Sequence, residues 1–278
     1  VQFKLERSSD LLAMGPADGT TPPIICQNFG ADHRPYLHPL RPLDGRGVLT
    51  RDSPSHHRWQ HGLDTAMHHV GETNFRFDHG QSSKDGAIRT KACDVLELLP
   101  GEVRWRVEAD WLSHDDARIL MAEVQTWRLV GMKDSGSWRL ELDWSLLASE
   151  DLSVSQRPYG GPVLRMPFVD MEGCRVVSAG GHKERDSGQP PSPWLCVTMP
   201  IEGRDEQAGV LLSAHPDNDT AEPEWLVDGE LGIGPVPVSE ELHFDARQRR
   251  RRRYGFTSIV GKPSSSACEQ MHLAYSSG

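Results

Sequence analysis

From residue 57 to residue 75 the chain reads His-Arg-Trp-Gln-His-Gly-Leu-Asp-Thr-Ala-Met-His-His-Val-Gly-Glu-Thr-Asn-Phe. This crowds His57, Trp59, Gln60, His61, Thr65, His68, His69 and Asn74 into one short stretch. Imidazoles titrate near neutral pH, with a reference pKa of about 6.5, so each can serve as acid, base or metal ligand. An indole among them offers a flat apolar face to a ring-shaped ligand. His57 and His61 are four residues apart. On a helix that spacing puts both on one face and suits a metal, but the surrounding glycine and proline favour a loop or strand. In a strand, positions 57, 59 and 61 share a side, with Trp59 between the imidazoles. The pattern predicts a pocket wall with two titratable groups around a stacking platform. Hydrogen-bonded structural histidines are the competing interpretation.

Other residues can join this group. His38 and Arg51 precede it, and an arginine can clamp a carboxylate or sugar hydroxyls in bidentate fashion, or simply pair with Asp52. Farther on, His215-Pro-Asp-Asn218 follows a predicted strand over 207–213. His215 with Asp217 can form an acid–base unit in which the carboxylate fixes the ring's tautomer. Pro-Asp-Asn is also ordinary turn chemistry. His182, in Gly180-Gly-His-Lys-Glu184, is a weaker candidate. His68 and His69 are adjacent, so in a strand they face opposite ways. A His57/His61/His68 triad suits zinc, manganese or iron. Without an HExxH or a two-His-one-carboxylate spacing, however, the expectation is no metal and no other cofactor.

The elements that must position these residues read as strands. Trp138, Leu140, Leu142, Trp144 and Leu146 alternate with Arg139, Glu141, Asp143 and Ser145, the pattern of a half-buried strand. Residues 103–112 and 119–130 alternate likewise, separated by the turn signal Ser113-His-Asp-Asp116, and with 138–147 they predict an antiparallel meander. Further strands are expected at 162–166 and 194–199, with one short helix at 266–275. Glycine (26) and proline (20) punctuate the chain. Residues 131–137 and 184–193 read as loops, and no linker or internal repeat is visible. The expected architecture is all-β, a large antiparallel two-sheet sandwich forming one domain over residues 1–278.

Composition narrows the function. Acidic residues outnumber basic ones 40 to 30, giving a net charge of −10, which opposes nonspecific binding to nucleic acid or anionic lipid. The run Arg249–Arg253 reads as a solvated or acid-paired edge strand continuing from near Glu241, its arginines alternating between faces. Mean hydropathy is −0.53, and no apolar run approaches the roughly 20 residues of a membrane helix. Val1 to Asp10 carry Lys4 and Arg7 without an apolar segment behind them, so the expectation is a cytoplasmic protein. Cys26, Cys93, Cys174, Cys196 and Cys268 are scattered, with no CxxC pair, and are expected to be reduced and mostly buried. No GxSxG, P-loop or GxGxxG precedes a helix, which disfavours serine hydrolase, phosphoryl-transfer and dinucleotide chemistry.

The runs Arg34-Pro-Tyr-Leu-His-Pro-Leu40, Leu49-Thr-Arg-Asp-Ser-Pro54, His56-His57 and Trp59-Gln-His-Gly62 resemble the DUF6807 family, often labelled "methane oxygenase PmoA-like". The similarity continues through Thr65, His68, Val70-Gly71 and Asn74-Phe75, and returns at Leu211-Leu-Ser-Ala-His-Pro-Asp-Asn218 and Glu224-Trp225. The label does not fit literally, because a membrane oxygenase subunit spans a bilayer. What the resemblance implies is carbohydrate metabolism and a galactose-mutarotase-like sandwich (a supersandwich). Fold alone does not fix function. The chain departs from the family pattern at Asn74 and Arg76, where relatives carry Asp and Trp. It departs again at Arg157-Pro-Tyr-Gly-Gly161, where many have Lys-Glu-Gly-Gly.

The expected function is therefore a carbohydrate-active enzyme that cleaves a glycoside or keto-sugar derivative, as lyase or hydrolase. His57, His61 and His215 would move protons. His38, Arg51, Trp59, Gln60, Thr65, His68, Asn74 and Asp217 would hold the sugar. An aldose-epimerase-like isomerase and a non-catalytic sugar-binding module are the alternatives.

Overall fold

Successive strand side chains point to opposite faces, and in the computed structural model Trp138, Leu140, Leu142, Trp144 and Leu146 are all buried. They lie on β11 (Ser137–Ala148), which pairs antiparallel with β10 (Ile119–Met132). The meander continues through β9 (Glu102–Leu112) to β8 (Ala87–Leu99). The structure describes residues 1–77, 82–115, 117–132, 136–154, 160–168, 173–180, 190–230, 232–236 and 242–278. His182, Arg157 to Tyr159 and Glu241 lie outside the described residues.

On the other side of β11 come β20 (Arg249–Val260), β16 (Ala208–Ala214), β15 (Trp194–Met199) and β14 (Arg175–Ser178). These eight strands form one sheet. The facing sheet, called first here because it starts the chain, runs in the order β1 (Phe3–Arg7), β2 (Leu11–Pro16), β3 (Ile25–Asn28), β4 (Tyr36–Leu40), β5 (Leu63–Met67), β13 (Gly160–Leu164), β18 (Gly232–Pro235) and β17 (Trp225–Asp228). A small third sheet holds β19 (Leu242–Phe244), β12 (Leu152–Val154), β6 (His69–Val70) and β7 (Thr73–Asn74). The all-β, antiparallel two-sheet expectation is met. The chain has a helix, α1 (Ser265–Ser276), started by Ser264 accepting from the Ala267 N–H. No helix among the described residues is long and apolar enough to cross a membrane.

One apolar cluster draws on both large sheets. Its indoles are not purely apolar, because each N–H needs a partner once buried. Trp105 donates to Gln27 Oε1 (3.1 Å), Trp127 to Gln125 Oε1 (3.0 Å) and Trp138 to the Arg41 carbonyl (2.6 Å). Trp111 and Trp144 donate to the two oxygens of Glu123, at 2.8 and 2.6 Å. Glu123 Oε1 also accepts from Thr65 Oγ1 (2.6 Å) and Gln125 Nε2 (3.0 Å). A carboxylate this deep is tolerable only with such a set of donors. The Thr65 bond ties β5 of the first sheet to β10 of the second through the interior.

The arginine run departs from its expected place. It lies on β20, an inner strand between β11 and β16, and Leu242–Phe244 is a separate strand. Because β16 ends at Ala214, opposite Tyr254, Arg249–Arg253 have β11 as their only strand partner among the described residues, and His215 and Asn218 meet the Arg253 backbone on the other side. The expected acid pairing is present: Arg251 binds Asp143, Arg252 binds Asp219 and Arg253 binds Asp217.

Candidate active site

β5 builds the site because its two faces differ. Leu63 and Met67 enter the core and Thr65 reaches Glu123, so Asp64 must face away from the core. Registry places Tyr36 of β4 and Val163 of β13 beside Asp64, while Leu37 pairs inward with Leu63. Tyr36 and His38 thus share the outward face with Asp64. Arg165, between the core residues Leu164 and Met166, points the same way. Its Nη1 donates to Asp64 Oδ2 (3.0 Å) and to the His61 carbonyl (2.8 Å).

The segment between β4 and β5 folds back over this face. Leu49 N–H donates to the Leu40 carbonyl and Arg51 N–H to the Arg165 carbonyl, both at 2.8 Å. Thr50 Oγ1 accepts the Leu40 N–H (3.1 Å) and lies 2.8 Å from His38 Nδ1. Residues 53–60 then close on themselves, with Ser53 N–H donating to the Gln60 carbonyl at 2.7 Å. Gly62 makes the close approach possible: a Cβ there would sit 2.4 Å from the Leu37 carbonyl oxygen.

His61 is the best-defined chemical group. Its Nδ1 is 2.9 Å from Asp52 Oδ1, its ring stacks on Tyr36 at 4.2 Å between centroids, and it is 5% exposed. Tyr36 donates its hydroxyl to Asp52 Oδ2 at 3.4 Å. Burial alone would raise the Asp52 carboxyl. The His61 hydrogen bond and the charges of His61 and His38 outweigh it and hold Asp52 below the usual carboxylate range. An ionised carboxylate only accepts, so in this bond His61 Nδ1 is the donor.

His57 belongs to a neighbouring group. Its ring meets Trp59 edge-on at 5.2 Å, Trp59 meets Phe77 at 4.8 Å, and the Arg76 guanidinium lies over Phe77 at 5.4 Å. Burial, reinforced by His56, Arg76 and Arg51 and opposed by Glu230, lowers the His57 pKa. The expectation that His57 and His61 flank Trp59 fails because residues 55–59 form turns, not a strand. His61 therefore turns to Tyr36 and Asp52. Asp52 itself, read from sequence as a partner for Arg51, serves His61.

Several polar atoms here are buried without a hydrogen-bond partner among the described residues: Arg51 Nε, His57 Nδ1, Trp59 Nε1, Gln60 Oε1, Asp64 Oδ1 and Arg165 Nε. Unsatisfied buried groups are costly.

The other expected residues are dispersed. Thr65 is spent inside the core. Asn74 donates to Asp85 Oδ1 (2.8 Å) and accepts the Arg76 N–H (3.0 Å), fixing the turn after β7. His68 is buried where the chain leaves β5 for β6, its ring edge-on to His69 at 5.4 Å. Among the described residues no three His, Cys, Asp or Glu side chains are grouped to hold a metal, so His57, His61 and His68 form no triad.

His215 is not part of the group at all. Leu212 and Ala214 face the core whereas Leu211 packs under α1, so His215 lies on the far face of the second sheet, edge-on to Tyr275 at 5.6 Å. Its Nδ1 accepts from Arg253 Nη2 (2.7 Å) and from the Asp217 N–H (3.1 Å). Asp217 Oδ2 lies 3.7 Å from His215 Nδ1, but the carboxylate is bound by Arg253 and Nδ1 already accepts two hydrogen bonds. Sequence reasoning missed Tyr36, Asp64, Arg165, Glu230 and the core carboxylate Glu123. The alternation of Arg34, Tyr36 and His38 was the available signal for the first of these.

Fold and site together define an all-β sandwich protein with an imidazole–carboxylate pair on the outer face of one sheet. The chain belongs to DUF6807, a family of unknown function whose model matches residues 28–272. No curated protein sequence matches it. Among solved structures, an alpha-galactosidase from Lactobacillus brevis is 10% identical, with a TM-score of 0.45, over 93% of this chain and 39% of that one. A galactose mutarotase related enzyme from Lactobacillus acidophilus is 9% identical, with a TM-score of 0.37, over 95% of this chain and 99% of that one. An alpha-galactosidase from Geobacillus stearothermophilus is 9% identical, with a TM-score of 0.36, over 97% and 42%. The chain thus spans about two fifths of the length of either galactosidase.

Proposed function

We propose that the outer face of the first sheet is the active site of an enzyme that cleaves a glycoside or an oxidised (keto) glycoside by imidazole acid–base chemistry. The observation that carries this is the His61 Nδ1–Asp52 Oδ1 contact at 2.9 Å in a nearly closed niche. A carboxylate held ionised behind a ring fixes its tautomer, and Nε2 is then the ring atom that would act as base. In a keto sugar the carbonyl acidifies the neighbouring C–H, so an imidazole suffices to remove the proton; the electron pair forms a C=C bond and expels the glycosidic oxygen, which takes the proton back from the imidazolium. Neutral His57 and the Trp59 N–H supply donors, and Gln60 Oε1 and Asp64 Oδ1 supply acceptors, for ring hydroxyls. Trp59 and Phe77 supply an apolar edge.

The test is turnover of a panel of glycosides and keto glycosides followed by NMR. His61→Gln and Asp52→Asn are expected to lower turnover by about 10²–10⁴-fold, the range of general acid–base help, with ligand affinity largely kept. Full turnover by His61→Gln would refute the assignment. A binding module, by contrast, would show affinity for a sugar and no turnover in the unaltered protein.

A further inference from the structure

One cation at this site has no counter-ion. The Arg51 backbone N–H is used by Arg165, but its guanidinium makes no ion pair and no hydrogen bond among the described residues, and its Nε is buried. Arg128, Arg204 and Arg251, by comparison, each rest on carboxylates. A half-buried charge without a partner is costly. Its surroundings are unfavourable too: burial and then Arg165 disfavour the Arg51 charge, and Glu230 offsets them only from a distance.

We propose that the natural ligand of this site is an acidic sugar bearing a carboxylate, of the uronate type, and that Arg51 binds that carboxylate. This deepens, and rests on, the sugar-directed function proposed above. The planar guanidinium fork matches a carboxylate in bidentate geometry. A phosphate dianion would suffer more repulsion from Asp52, Asp64 and Glu230. The acceptors Gln60 Oε1 and Asp64 Oδ1 repel an anion but suit hydroxyls, so they and Arg51 divide the ligand between them.

The test is calorimetric titration of the whole chain with methyl glucuronide and methyl galacturonide, against methyl glucoside, methyl galactoside and glucose 6-phosphate. A charged hydrogen-bonded contact predicts that one uronide binds about 10–100-fold tighter than its neutral counterpart. Arg51→Met removes that preference by lowering uronide affinity far more than neutral-sugar affinity, Arg51→Lys keeps part of it, and His61→Gln keeps the uronide-to-neutral ratio. If Arg51→Met does not fold, the uronide preference of the unaltered protein and its decline with added salt decide. Equal binding of uronide and neutral glycoside, or tighter binding of the phosphate, overturns the carboxylate assignment and leaves the sugar site standing. Binding of none of these probes overturns both.

Discussion

Glu123→Gln alters a single atom type, yet it falls where the two sheets meet. Glu123 Oε1 receives Thr65, Gln125 and Trp144, and Oε2 receives Trp111 alone. An amide offers one carbonyl oxygen. Turned to keep the three bonds at the Oε1 side, it sets its NH₂ against the Trp111 N–H. Two buried donors are then orphaned, at about 1–3 kcal/mol each. The other bonds lose charge assistance, but this is roughly offset because no charge is buried any longer. The expected loss is about 2–5 kcal/mol, a large part of the 5–15 kcal/mol that holds a typical domain together. Urea unfolding followed by far-UV circular dichroism measures it. Trp111→Phe removes the orphaned indole donor, so in that background the Glu123→Gln cost should shrink by about 1–2 kcal/mol. A Glu123→Gln protein within about 0.5 kcal/mol of the parent, or costs that simply add, would show that the carboxylate is not what anchors the indoles.

Gly62→Ala places a methyl 2.4 Å from the Leu37 carbonyl oxygen; an overpacking cost of about 1–3 kcal/mol is expected in the same melts, and an unchanged midpoint would refute it. His38 is held below its usual pKa by burial, opposed by Asp52 and reinforced by Arg41 and His61. With its folded pKa below the unfolded value of about 6.5, the chain loses stability as pH falls from above 6.5 through the folded value, and His38→Gln should flatten that slope. Cys26, Cys93, Cys196 and Cys268 are buried and Cys174 is partly accessible. Titration with a thiol reagent should therefore give one fast thiol in the native protein and the rest only in denaturant.

The fold was largely legible because period-two alternation is strong where one face is buried. Strands 103–112, 119–130 and 138–147 reappear as β9, β10 and β11, and the helix at 266–275 as α1. The small third sheet was not legible, since strands as short as β6 and β7 hold too few residues to show a period. The candidate site was legible as a region but not as an arrangement. The His-rich stretch marks it, yet Asp52 and Tyr36 join His61 only because β4 and β5 are neighbours, a pairing that local sequence does not carry. His215 misled for the same reason: Ala214 and His215 are adjacent in sequence but face opposite sides of the second sheet.

β5 carries two obligations back to back: Asp64 holds Arg165 on the outer face, and Thr65 fastens the interior. One residue inserted into this strand would swap them, pressing a carboxylate onto the indoles and wasting the hydroxyl outside. Residues 42–48, ahead of the tie at Leu49, are held to Arg204 and Glu206 by Asp44 and Arg46 side chains rather than by a strand with two committed faces, so insertions beside those pairs cost little loop entropy. Among descendants of this fold, length changes should therefore collect in the approach to the site and spare the strand beneath it, even as the ligand they serve diverges.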